Sequence, residues 1–119
     1  MFQSKLENAV TGVAGGYAAI LMGFDGIAVE SYAAEAPVTD IETVGMEFSI
    51  LLNEMRKAAA QLEAGEAQEM TVRTEKLSTI LRIINDDYFV AMALRPDGNL
   101  GKARYTLRLL APEFYRELS

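Results

Sequence analysis

The chain contains no histidine and no cysteine. Without histidine, the triads and dyads in which an imidazole activates a serine or cysteine cannot be assembled. Without cysteine there is neither a disulfide framework nor a thiolate zinc site. Together with a start that lacks a charged and apolar leader pattern, this leads us to expect a cytoplasmic protein. Any metal would have to be held by carboxylates alone. The adjacent acidic pair Asp86-Asp87 sits in Asn85-Asp86-Asp87, where a turn between two strands favours such residues anyway. Gly101-Lys102 is followed by Ala103, without the preceding glycine pattern of a phosphate-binding loop, and no carboxylate pair is singled out for sugar chemistry. We therefore expect no catalytic residues, no cofactor and no metal.

Basic residues are also scarce in the first half. Up to Met55 the sole cation is Lys5 against eight acids, whereas from Arg56 onward ten Lys and Arg face nine Asp and Glu. A net charge of −6 argues against nucleic acid, whose binding depends on a basic stripe that neutralises phosphates. Lys102, Arg104, Arg108 and Arg116 toward the C-terminus read as a solvated helical face rather than an anion-binding patch. The apolar run from Tyr17 to Met22 falls far short of the roughly 20 residues a membrane-spanning helix needs, so no membrane insertion is expected.

What is present fits one domain over residues 1–119, because a chain of this length that is half apolar supports one core rather than two. Phe2, Leu6, Ala9, Val10 and Val13 recur at helical spacing and predict a helix that stops at Gly15-Gly16. Tyr17 to Met22 reads as a buried strand, turning at Phe24-Asp25-Gly26 into a partner over Ile27 to Tyr32. The glycine suits the positive φ of a tight turn, so Asp25 needs no chemical role.

Ala33 to Pro37 reads as a loop, and Thr39 or Asp40 as the cap of a long helix. In that helix Ile41, Val44, Phe48, Leu51, Leu52, Met55, Ala58, Ala59 and Leu62 form an apolar stripe suited to packing on a sheet. Strands are expected at Glu69 to Thr74, Leu77 to Ile84 and Tyr88 to Leu94, before a final helix opened by Asn99-Leu100-Gly101-Lys102-Ala103-Arg104. The order describes an α/β sandwich with its sheet covered by helices.

The central helix carries a second signal. Gly45, Met46, Ser49, Ile50 and Asn53 lie off that stripe yet are small, apolar or uncharged, unlike a solvated face. Gly45, Ser49 and Asn53 would let another backbone come close, while Met46 and Ile50, with Arg56 and Lys57 beside them, would supply contact to a dimer mate or a third protein.

With these elements in place, the chain resembles the Roadblock family, which includes dynein light chains and bacterial MglB regulators of Ras-like GTPases. The resemblance spans nearly the whole chain. It is carried by Gly15-Gly16-Tyr17-Ala18-Ala19-Ile20-Leu21 leading through Asp25-Gly26 into Ile27-Ala28-Val29, by the central helix, and most specifically by Asn99-Leu100-Gly101-Lys102-Ala103-Arg104. It implies the order helix-strand-strand-helix-strand-strand-strand-helix on a five-stranded antiparallel sheet, paired as a dimer in which the central helix takes part. For MglB-like members it further implies binding of one small Ras-like GTPase, whose own switch regions are reshaped without a catalytic arginine from the regulator. The chain ends at Ser119 after the last helix, so a function that resides in a C-terminal extension is not expected. The competing reading is a dimeric adaptor that holds a motor or polarity scaffold without altering GTP hydrolysis. A ligand-sensing sandwich is a third, and it would require a deep apolar pocket.

Overall fold

A computed structural model describes residues 1–34 and 40–119. The helices are α1 (Phe2–Thr11), α2 (Ile41–Gln61) and α3 (Leu100–Leu118), and the strands are β1 (Gly16–Gly23), β2 (Ala28–Ala33), β3 (Glu69–Arg73), β4 (Ser78–Ile83) and β5 (Tyr88–Leu94). They follow the expected order and form one antiparallel five-stranded sheet, β2-β1-β5-β4-β3. The expected loop beyond Ala34 and the cap at Thr39 lie outside the described residues; Asp40 caps α2, its side chain accepting from the Thr43 N–H.

Strand β5 is central and buried on both faces, which is why its sequence is a continuous apolar run rather than an alternation. Val90, Met92 and Leu94 meet Leu6, Val10, Leu107 and Phe114 under α1 and α3, together with Ala19 and Leu21 of β1. Phe89, Ala91 and Ala93 face the other way, with Ala18, Ile20 and Met22, toward Ile41, Val44 and Leu52 of α2. The three alanines keep that side of the sheet low. The molecule is thus three layers, α1 and α3 on one face of the sheet and α2 on the other.

Turns follow side-chain chemistry. Gly26 takes φ +86°, and the Asp25 carboxylate accepts from the Ile27 N–H at 3.0 Å, so the Asp-Gly pair is structural. Strand β2 begins at Ala28, one residue later than expected, and a register shift opposite Leu21 and Met22 leaves Val29 as an extra residue within it. In the β4–β5 turn the Asn85 carboxamide accepts from the N–H groups of both Asp87 and Tyr88, each at 2.9 Å, while Asp86 and Asp87 are exposed.

Helix α1 stops at Thr11, short of Gly15-Gly16, because the chain must fold back before β1. Gly15 at φ +85° passes so near Gly98 that a Cβ would lie 2.5 Å from its Cα. The approach is locked by Arg95 N–H to Gly15 O and Asn99 N–H to Ala14 O, both 2.8 Å. The start of the distinctive C-terminal segment is therefore held by the loop between α1 and β1. Asn99 caps α3, its side chain accepting from the Lys102 N–H at 3.0 Å. Asn99→Ala should cost about 1 kcal/mol, seen as a lower thermal midpoint; an unchanged midpoint would show that the cap is dispensable.

Candidate functional site

Helix α2 settles on β1 and β2 through its small residues. Gly45 lies against Met22, where a Cβ would come 3.0 Å from the sulfur and 3.5 Å from Ile20. Ser49 is buried, its hydroxyl donating to the Met46 carbonyl at 2.7 Å. The expectation that Gly45 and Ser49 lie off the sheet-facing stripe is therefore corrected: both sit on it, with Ile41, Val44 and Leu52. Small residues let the helix approach most closely on their own side, and this rolls α2 about its axis. Leu51 and Leu62, expected inside, are turned out.

The roll exposes a patch. Met46 is 52% exposed and Ile50 60%, one turn apart on the outward side of α2, and Leu51, 49% exposed, lies on the flank beside them. Because α2 rests over β1 and β2, the same face of β3 and β4 is incompletely roofed, and Met70, Val72, Leu77 and Ile83 remain only partly buried there. Strand β3 is an edge, leaving backbone donors and acceptors on its outer side.

The remaining predicted residues are placed as follows. Asn53 is half-buried and accepts from Arg56 at 3.4 Å. Arg56 lies over the Phe24 ring, 4.1 Å from its centre, and donates to the Asp86 carbonyl at 3.3 Å. It thus ties the helix to two turns of the sheet. Lys57 is exposed and pairs with Glu54 at 3.4 Å. The structure thus brings Met46 and Ile50 together, sends Gly45 and Ser49 inward, and anchors Arg56 through Asn53. Leu51 was missed because its place depends on the roll of the helix; the signal for that roll was the glycine at 45.

Gly45→Leu should therefore destabilise the single chain by about 1–3 kcal/mol through overpacking against Met22, measured by urea unfolding. A fully stable variant that had lost only its self-association would place Gly45 in an interface instead.

A sensor would need a deep apolar pocket, but the cavity of about 350 Å³ beside the C-terminal half of α2 is lined largely by polar groups, among them Arg56, Glu66, Gln68, Arg82 and Asn85, and the more apolar one of about 300 Å³ between α1 and α3, at Ala9, Tyr105, Leu109 and Leu110, is wide open to the surface rather than deep. Among the described residues no cluster of acids could hold a metal ion, and no helix is long and apolar enough to cross a membrane.

No protein-family model matches the chain, and no curated protein matches it. Solved structures do. MglC from Myxococcus xanthus is 40% identical over 96% of both chains, with a TM-score of 0.69. A Roadblock/LC7 domain from Streptomyces avermitilis superposes with a TM-score of 0.86 at 14% identity, covering 98% of this chain and 96% of that one. The gliding protein MglB from Thermus thermophilus gives 0.83 at 16% identity, over 95% of this chain and 84% of that one. The latter two establish the fold. The shared sequence with MglC, over nearly all of both chains, establishes kinship.

Proposed function

This chain belongs to the Roadblock family, and from that premise we propose that it is a non-enzymatic regulator that pairs with a second copy of itself and binds a small Ras-like GTPase in the manner of MglB. The observation that carries the reading is the exposed apolar face of α2, Met46, Ile50 and Leu51, beside a partly roofed sheet face and an edge strand. A lone chain would leave this surface to water; a second copy would cover it and make a composite platform. Regulation would then act by differential affinity for one nucleotide state of the GTPase, with Arg56 already engaged by Phe24 and Asp86 and so not poised as a finger.

The adaptor reading stands beside it for one reason. The identity that shows the family is shared with MglC, whereas the MglB from Thermus thermophilus stands at 16%. Light scattering separates the two. The purified chain is measured alone and mixed with a Ras-like GTPase from the same cell, loaded with GDP or a GTP analogue. A dimer that gains mass only with the analogue supports the regulator and calls for a hydrolysis assay; a dimer indifferent to both supports the adaptor. A monomer alone and in both mixtures refutes the pairing.

A further inference from the structure

We propose that a cationic groove between α3 and the β3–β4 edge of the sheet docks an acidic, extended segment of a partner protein. It lies on the face of the sheet opposite α2, and it rests on neither the GTPase nor the pairing argument.

Two neighbouring cavities of about 400 and 360 Å³ have Arg82 and Arg108 in the lining of both. Arg104 and Arg108, one turn apart on α3, line the larger with Arg82 from β4; Arg116 lines the smaller. One acid faces them. Glu69 of β3 accepts from Arg82 at 3.3 Å and, through its other oxygen, from Arg104, and Arg104 first, then Arg82, holds its carboxyl below the usual carboxylate range. Four arginines against one glutamate leave three positive charges in surplus, 4 − 1, on a chain whose net charge is −6. Arg73 adds to the same side, since Met70 and Val72 take the opposite face of β3.

The donors are largely unspent. A guanidinium carries five N–H groups, and the Glu69 carboxylate can occupy few of those on Arg82 and Arg104. Arg108 and Arg116 have no ion pair among the described residues; Arg108 instead lies 5.4 Å from the centre of the Tyr105 ring. Fork-shaped guanidinium groups match carboxylates in two parallel hydrogen bonds. Between Arg108 and Arg116 the lining turns apolar at Ile84, Ala111, Pro112 and Tyr115, room for an apolar side chain set among the acids. A nucleic acid or an anionic membrane would extend past the groove. It would then meet the rest of a surface that carries −9, from −6 less the surplus of three, and be repelled. A narrow acidic peptide would not.

The test is fluorescence anisotropy of the full chain with a fluorescein-labelled oligoglutamate peptide carrying a central phenylalanine, and with the same peptide made of glutamine. The glutamate peptide should bind, weaken as salt is raised and lose about tenfold or more in affinity to Arg108→Glu, with a smaller loss for Arg108→Gln. Circular dichroism establishes that both variants are folded. No binding of the glutamate peptide at low salt, equal binding of the glutamine peptide, or indifference to both variants overturns the proposal. It is overturned equally if a DNA oligonucleotide or phosphatidylserine vesicles bind in an Arg108-dependent way and the peptide does not.

Discussion

If the chain pairs as proposed, Ile50→Glu is expected to turn that pair into a monomer of about the single-chain mass, 13.0 kDa, without unfolding it. Ile50 is 60% exposed on the single chain, so the charge costs that fold almost nothing. In a paired molecule the same side chain would be enclosed by a second apolar face, and because the pair is symmetric the charge would be buried twice. An uncompensated buried charge costs about 3 kcal/mol or more, roughly a hundredfold in the dimer dissociation constant for each of the two copies. Light scattering across a concentration series reads the shift, and thermal unfolding reads the fold. Met46→Glu, one turn away, should act in the same direction. If both variants stay as associated as the parent, the α2 face is not where the copies meet, and the pairing must run through another surface such as the β3 edge. The regulator reading would then lose the observation that carries it.

Phe114→Ala is expected to have the largest effect on the fold itself. Phe114 is fully buried on the inner side of α3, its ring edge-on to Phe2 of α1 at 5.3 Å between centres. It is thus the point where the two helices of one layer close over Val90, Met92 and Leu94. Removing it loses the transfer energy of the ring and leaves a void that Leu6, Val10 and Leu110 can fill only by moving both helices. Such replacements cost about 3–5 kcal/mol, a large share of the 5–15 kcal/mol typical of a small domain. At this chain length the thermal midpoint should fall by about 10–25 °C. A drop of only a few degrees would mean that α1 closes the gap cheaply, and that the α1–α3 contact contributes little to the domain.

Much of the fold was legible because the patterns were strong and local. Strand β5 was delimited to the residue by an apolar run between Asn85-Asp86-Asp87 and Arg95-Pro96. Helix α2 was bounded by Asp40 and by the polar stretch at Glu63. The ends of α1 and β2 were less legible. Helix α1 ends early so that Gly15 can reach Gly98, far along the chain, and the extra residue that Val29 makes in β2 is set by pairing with β1; neither is a local preference. The candidate interface was half legible. Met46 and Ile50 stand out in the sequence as apolar residues off the stripe, but the spacing does not reveal that Gly45 and Ser49 lie on the buried side of α2, facing the chain's own sheet.

Composition and periodicity alone decided the α/β class of the fold and the lack of the histidine or cysteine that imidazole- or thiolate-based chemistry requires. They set the number, type and order of its elements, because these depend on residue identity and on spacing of two or 3.6. Three-dimensional packing alone decided which small residues face inward. A glycine accommodates close approach to a sheet or to another helix equally well, and the choice falls to whichever surface supplies Met22 and Ile20 opposite it. The same holds for the arginines of α3. As a sequence they were a solvated helical face; Arg82 and Glu69, brought from β4 and β3, make them the wall of a groove.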